Sequence, residues 1–191
     1  MTASAKNNVC FLPLQRNRQG DSLMNSKSVK KEKNIYYTTR EELGLTRDQA
    51  SERLEWISAD RLEKIENERV AAPNPDEVLA MAEAYCRPDL CNYFCSHQCK
   101  IGQKYVPEVK IKDLPHIVLE MLASLNAIED KKNRLIEITA DGEISDDELA
   151  DFADIRRGLE RISMTVESLQ LWSEQMISSG RISQEKLEQI K

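Results

Sequence analysis

Apolar and polar residues alternate with helical spacing around the centre of the first half of the sequence. From Thr46 to Arg69 the pattern predicts two short helices joined by a tight turn. Thr46 and Ser58 are the expected N-caps, because their side-chain oxygens can accept hydrogen bonds from otherwise unpaired N–H groups. A third helix should follow Asn74-Pro75. Helices this short must bury their apolar faces against one another; those positions are Leu54, Ile57, Leu62, Ile65, Val78, Leu79, Met81, Ala82 and Tyr85.

The second half carries two longer apolar seams with steps of three, four or seven residues, which are typical of helices that pack lengthwise. Asp113 should cap the first helix, and Asp141-Gly142 separates the two seams, which predicts an antiparallel hairpin. The hairpin could close on itself or pair with a second copy. The first seam is Val118, Met121, Leu125, Ile128 and Leu135; the second is Phe152, Ile155, Leu159, Ile162, Val166, Leu169 and Met176.

The expected fold class is therefore all-α. Residues 35–102 should form an N-terminal helix-turn-helix bundle of four or five short helices whose last segment is rich in cysteine. A linker over 103–112 precedes a long, coiled-coil-like antiparallel hairpin over 113–178, and 179–191 form a C-terminal tail.

Residues 1–34 show no apolar periodicity and contain seven Lys or Arg against two acids. Such a segment cannot bury enough surface to offset its chain entropy, so we expect a disordered basic arm. Met24 is a more natural start than Met1. The arm could reach phosphates beside the helix-turn-helix bundle or could be a solvated tail.

The composition agrees with a helical protein without a membrane span. The 191 residues are 40% hydrophobic, 5% aromatic and 31% charged. No apolar run approaches the roughly 18 residues of a membrane helix, and residues 1–24 lack the apolar core of a secretory signal. We therefore expect a cytoplasmic protein whose five cysteines are reduced thiols or metal ligands.

The run from Arg40 to Arg69 resembles the Cro/C1-type (XRE) helix-turn-helix family over roughly residues 35–90. The resemblance rests on the entry Arg40-Glu-Glu-Leu-Gly-Leu-Thr46, the small Ser51, Leu62 and Ile65, the closing Glu66-Asn67, and the helix from Asp76 to Tyr85. In that family the second helix of the motif enters the major groove of double-stranded DNA. The resemblance implies that Ser58, Ala59, Asp60, Arg61 and Lys64 face the operator, and Arg47 and Arg69 are further candidates for phosphate contacts.

Two features separate this sequence from that family. Glu55-Trp56 and Glu68 stand where the family usually has glycine. From Tyr37 to Tyr85 there are six Lys or Arg against twelve Asp or Glu, although phosphate binding needs cations. If the cations share one face without acids, DNA binding is favoured; if acids interleave, a protein-interaction or sensor module is favoured.

The stretch after the third helix carries Cys91, Cys95 and Cys99, four residues apart, with Cys86 and His97 nearby. One hypothesis is a zinc or iron–sulfur site with these five residues as candidate ligands. On an unbroken helix Cys91 and Cys99 would lie about 12 Å apart along the axis, so a shared ion needs the helix to end near Cys95. The alternative is that the cysteines are small apolar residues or redox-active thiols beneath the domain.

Two further patterns bear on the class of protein. Residues 137–148 partly follow a calcium-binding loop, but Ser145 and Glu148 also make a capping box for the next helix. Phosphate-binding, nucleophile-elbow and zinc-protease motifs are missing, and there are two histidines, so the sequence does not indicate an enzyme. The leading interpretation is a DNA-binding transcription regulator that binds an operator as a homodimer through the hairpin.

Overall fold

The computed structural model describes residues 33–190. The predicted arm over 1–34, apart from its last two positions, lies outside the described residues. Within 33–190 the chain forms ten α-helices and one π-helical turn and has no strand, which confirms the all-α prediction. The helices are α1 (Ile35–Glu42), α2 (Arg47–Leu54), α3 (Ala59–Glu66), α4 (Pro75–Tyr85), α5 (Asp89–Tyr93), α6 (Gly102–Tyr105), α7 (Leu114–Glu129), α8 (Lys132–Ile138), α9 (Leu149–Ser178) and α10 (Gln184–Glu188), with the π-helical turn at Phe94–Gln98.

The chain divides into two compact units. The described part of the first unit comprises residues 33–106 and 175–190, and the second comprises residues 107–174.

The first unit is a bundle around one apolar core. The predicted apolar face is confirmed except at Leu79, which is exposed. Tyr36 lies in this core and its hydroxyl donates to Gln98 Oε1 at 2.8 Å, while burial raises the pKa of Tyr36 far above its ordinary value. The buried residues of the core are Tyr36, Leu45, Ala50, Leu54, Ile57, Leu62, Ile65, Val78, Met81, Ala82, Tyr85, Leu90 and Phe94.

A close backbone contact reverses the chain after the π-helical turn. A Cβ atom on Gly102 would lie 2.1 Å from the carbonyl oxygen of Cys95, so only glycine fits there. Residues 103–105, which we expected in an extended linker, instead continue α6 from Gly102. The tail after residue 179 likewise contains a short helix, α10, whose N-cap Ser183 accepts from Lys186 N at 3.4 Å.

The second unit is an antiparallel hairpin. Lys131 Nζ pairs with Asp154, and Arg134 Nε donates to Asp151 at 2.7 Å, so α8 runs beside the start of α9. A Cβ on Gly158 would lie 2.9 Å from Ile128 Cδ1, which continues the same register into α7. The first helix of the hairpin is interrupted at Asp130 and Lys131, just before Lys132, the position that breaks its apolar seam.

The turn of the hairpin is closed by the predicted capping residues. Glu148 Oε2 accepts from Ser145 N at 3.1 Å and from the Ser145 hydroxyl at 2.6 Å, immediately before α9 begins. Gly142 has φ of 80°, which the reversal requires and which glycine adopts freely.

The predicted seams hold only in part. Ile155 of the second seam is buried and Ile128 of the first lies against Gly158, but Val118, Leu125, Leu159 and Val166 are each more than 40% exposed. Ile117, which lies outside the predicted first seam, is buried instead, and Gly158 lets α9 approach α7 without a large apolar side chain.

Candidate nucleic-acid interface

The helix-turn-helix unit is formed by α2, α3 and the turn between them. Thr46 caps α2 through a reciprocal box: its hydroxyl accepts from Gln49 N at 3.2 Å, and Gln49 Oε1 accepts from Thr46 N at 2.9 Å. Ser58 caps α3 by accepting from Arg61 N at 3.2 Å. Both N-caps predicted from the sequence are therefore confirmed, and they fix where the second helix of the motif begins.

In the turn, Glu55 adopts a backbone conformation that is unfavourable for a residue with a Cβ. Glu55 has φ of 59° and ψ of −46°, and Trp56 N donates to Leu54 O at 2.6 Å across it. This is the geometry of a classic γ-turn, which is strained for residues with a Cβ. Glu68, just after α3, has φ of 53°. Both glutamates thus stand at positions where the resembling family uses glycine, and the structure shows why glycine suits them.

A buried ionic group connects the first three helices. Arg40, which is 3% exposed, donates to both carboxylate oxygens of Glu66 at 2.6 and 3.0 Å. Arg47 Nε donates to Glu66 Oε2 at 2.9 Å. These bonds raise the pKa of Arg40, and they hold the C-terminal end of α3 against α1 and α2. Arg47, a predicted DNA contact, is therefore engaged inside the domain.

Arg61 is engaged in the same way at the other end of α3. Its Nε and Nη2 donate to the two oxygens of Glu77 at 2.6 and 2.8 Å. Glu77 also accepts from Asn74 N at 2.7 Å and so caps α4. The bonds from Arg61 lower the pKa of Glu77 and raise that of Arg61. This bidentate pair fixes α3 relative to α4.

The remaining predicted cations also lie beside acids. Lys64 Nζ is 2.6 Å from Asp60 one turn earlier on α3, and Arg69 Nη1 is 3.3 Å from Glu63 Oε1. Acids therefore interleave with the cations along the outer side of α3. The side chains of Lys64 and Arg69 are 47% and 63% exposed, so solvent weakens these pairs and both cations can exchange partners.

The outward surface of the motif is a mixture of small, acidic and aromatic groups. Ser58, Asp60, Lys64 and Arg69 are exposed, whereas Ala59, Arg61 and Arg47 are half-buried. The structure brings the first five residues of the predicted set together on α3 and its cap. Sequence reasoning missed Trp56, which is 59% exposed beside the start of α3. Glu77 was expected in the cap that starts the third helix of the domain, but its pairing with Arg61 was not predicted.

The cysteine stretch does not form the predicted arrangement. The helix does not end near Cys95 but continues as a π-helical turn to Gln98, and Cys91, Cys95 and Cys99 are half-buried free thiols. Cys86 is disulfide-bonded, so its sulfur is not a candidate thiolate ligand and the expectation of a reduced thiol is wrong there. His97 stacks on the ring of Tyr93 with centroids 4.4 Å apart.

No three His, Cys, Asp or Glu side chains within residues 33–190 are grouped closely enough to hold one metal ion. Zinc or an iron–sulfur cluster at the cysteine stretch stays a prediction of the sequence. Elemental analysis of protein purified without oxygen, compared with a Cys95→Ser variant, tests it.

The arrangement of α2, turn and α3, supported by α1 and α4, is that of a helix-turn-helix domain. Residues 38–90 match the family model of a helix-turn-helix domain, which confirms the assignment made from the sequence. No curated protein and no solved structure matches the chain. A helix-turn-helix domain suggests a DNA-binding regulator and is typically not enzymatic.

Among residues 33–190, no helix combines the length and the apolar character that crossing a bilayer requires.

Proposed function

We propose that the protein is a cytoplasmic transcription regulator of the Cro/C1 type that binds an operator in double-stranded DNA with two copies of its helix-turn-helix domain. The observation that carries the proposal is the helix-turn-helix match over residues 38–90 together with the outward position of α3. The N-terminal part of such a helix contacts base edges in the major groove.

The ion pairs divide the predicted DNA contacts into two groups. Arg47 and Arg61 hold α3 in place through Glu66 and Glu77, so they position the helix. Ser58, Ala59 and Asp60 at the start of α3 face the bases, and Lys64 and Arg69 supply phosphate contacts when they leave their exposed partners. With two such cations per copy, a single domain binds weakly, and an operator needs two copies.

The proposal is tested by a salt-titrated binding assay of the full chain on DNA fragments from its own genomic neighbourhood. We expect sequence-selective binding that weakens steeply with salt. Asp60→Asn should tighten binding, because it removes a negative charge near the DNA and frees Lys64. Lys64→Ala should weaken binding and reduce the salt slope by about one. Lys104→Ala, an exposed cation outside the motif, is the matched control and should change neither.

A second candidate function is protein binding by the same domain, which the interleaving of acids with the cations of α3 favours. Each predicted DNA-contacting cation is paired with an acid, and Trp56 is exposed in the turn next to Glu52 and Glu55. Such a surface fits a segment rich in Lys or Arg, whose cations can lie over the indole ring. Two results together would establish this function in place of the first. The chain would bind no DNA at low salt, and it would bind a peptide rich in Lys and Arg in a way that Trp56→Ala abolishes.

A further inference from the structure

The helix α7 is rich in apolar residues but poorly buried. Eight of its 16 residues are Leu, Ile, Val or Met, yet Ile117 is the one fully buried residue of this completely described helix. The exposed fractions of Leu119, Leu122 and Leu125 are 67%, 52% and 44%. A soluble helix usually turns such residues inward, so this surface indicates a missing neighbour.

Apolar residues on one side of α7 and α9 form one surface, which we call the outer face: Val118, Leu122 and Leu125 on α7 and Leu159 and Val166 on α9 are exposed, and Ile162 on α9 is half-buried. Steps of three and four residues keep each set on one side of its helix. Gly158 lies against Ile128 and Lys131 pairs with Asp154, and these contacts fix the register of the hairpin. In this register the two sets lie at the same level along the hairpin axis. The outer face is therefore continuous across both helices.

The opposite side of the hairpin is different in character. A groove of about 400 Å³ lies there, and its lining residues include Glu108, Val109, Lys112, Ala127, Arg161 and Met164. At about 100° per residue, the groove residues of α7 and of α9 lie roughly 150° around their helices from the outer face. Val109 is buried on the groove side, so within residues 33–190 the chain covers that side in part and leaves the outer face uncovered.

Charge along the hairpin indicates what covers the outer face. The segments that carry it, residues 115–126 and 156–170, contain three Lys or Arg and three Asp or Glu, so two copies do not repel each other there. The turn end is acidic: residues 137–154 contain eight Asp or Glu and no Lys or Arg. Two hairpins pairing with their turns at opposite ends keep these acidic turns apart, whereas pairing in the same direction brings them together.

We infer that the outer face is the interface between two copies of this chain, which pair as antiparallel hairpins into a four-helix bundle. The pairing covers Leu122, Leu125, Leu159 and Val166 with the same residues of the second copy, as two-fold symmetry requires. A four-helix bundle is the common way to bury the second apolar side of a helical hairpin. This inference rests on the proposed function, because two copies that bind one operator together are expected to form a dimer.

The first test measures the mass of the full chain in solution without DNA, by sedimentation equilibrium. We expect a dimer at about 100 µM, and an at least tenfold weaker dimer for Leu122→Glu and for Val166→Glu. Met164→Glu is the matched control, because Met164 is equally exposed but lies on the groove side. Circular dichroism of each variant checks that the helices remain. The inference is overturned if the wild type is monomeric or if both variants form the dimer as tightly as the wild type. It is also overturned if Met164→Glu weakens the dimer as much as they do.

The second test addresses the direction of pairing. Neutralising the turn with Glu143→Gln, Asp146→Asn and Asp147→Asn should leave the dimer dissociation constant within about twofold of wild type at low salt, because the turns lie apart. A clearly tighter dimer would show that the turns meet and would overturn the antiparallel arrangement.

These tests separate the inference from the proposed function, since the mass is measured without DNA. A dimer that binds no DNA retains the interface and contradicts the regulator proposal. DNA binding by a chain that stays monomeric contradicts the interface and retains the regulator proposal.

Discussion

At the scale of single residues, glutamates determine the character of the helix-turn-helix domain. Glu66 and Glu77 each hold an arginine through two hydrogen bonds and so fix both ends of α3. Glu55 and Glu68 occupy positive-φ positions at either end of the same helix. The first two stabilise the domain at neutral pH, and the second two leave strain in it.

The strain at Glu55 should be removable. Replacing Glu55 by glycine at φ of 59° should raise the free energy of unfolding by about 1 kcal/mol, because glycine adopts this conformation without a Cβ clash. Urea unfolding of the full chain measures the change. Glu52→Gly, on the exposed side of α2, should instead lower the stability by about 1 kcal/mol. A loss in both variants would show that the turn is not strained.

The Arg61–Glu77 pair should make stability depend on pH. Because Arg61 lowers the pKa of Glu77, the pair contributes stability above the ordinary glutamate pKa of 4.5, and this contribution is lost as pH falls through the lowered value. Glu77→Gln should therefore destabilise the protein at pH 7 and reduce the loss of stability between pH 5 and pH 3, roughly the window of carboxylate protonation.

Thermal unfolding followed by circular dichroism from neutral to acid pH checks this. Asp76→Asn, the adjacent exposed acid of α4, serves as the control and should follow wild type. An unchanged pH profile in Glu77→Gln would contradict the role of the pair.

At the scale of elements, the cysteine stretch shows how backbone contact shapes a segment. The π-helical turn at Phe94–Gln98 is followed by a reversal that brings Gly102 onto the backbone of Cys95. Gly102 N also lies 3.5 Å from Cys99 Sγ, so one thiol is used in the reversal. The segment is thus built as a packed end to the bundle.

Gly102→Ala should strongly disturb this element. The new Cβ would lie 2.1 Å from the carbonyl oxygen of Cys95, and since a backbone atom cannot move aside easily, we expect a loss of about 3 kcal/mol in unfolding free energy. Chemical denaturation measures it. Lys104→Ala, exposed in the same short helix, should lose less than about 0.5 kcal/mol. Wild-type stability in Gly102→Ala would mean that the reversal is not as close as described.

At the scale of the whole molecule, the uneven distribution of apolar surface and charge matters most. The helix-turn-helix domain has its own core, whereas the hairpin leaves an apolar outer face on α7 and α9 and gathers its acids at the turn. If two copies of the chain pair, its stability increases with protein concentration, because only the folded state associates.

The midpoint of thermal unfolding should therefore rise with protein concentration, by about 2 °C for each tenfold increase. Leu122→Glu should unfold at the same temperature at every concentration, since its outer face carries a charge that pairing would bury. Met164→Glu should keep the wild-type dependence. Calorimetry over a hundredfold range of concentration decides between these results.

The sequence by itself determined the features that depend on neighbours three or four residues apart. Helical spacing, the N-caps Thr46 and Ser58 and the glycine turn at Gly142 are local, so they could be predicted and are confirmed. Ser145 and Glu148 also bond to each other as expected, but α9 begins at Leu149, after both residues. The helix-turn-helix motif follows from the same local signals, and so does the placement of the candidate contacts on α3.

Only the tertiary structure decided which of those contacts are available. Arg61 meets Glu77 from 16 residues away and Arg47 meets Glu66 from 19 residues away, pairings that no local pattern specifies. The rotation of α7 about its axis also follows from packing: Gly158 on α9 lets Ile128 approach closely, and Val118 and Leu125 stay outside. Side-chain partners and helix rotation depend on how whole elements pack, and the sequence determines them only through the complete fold.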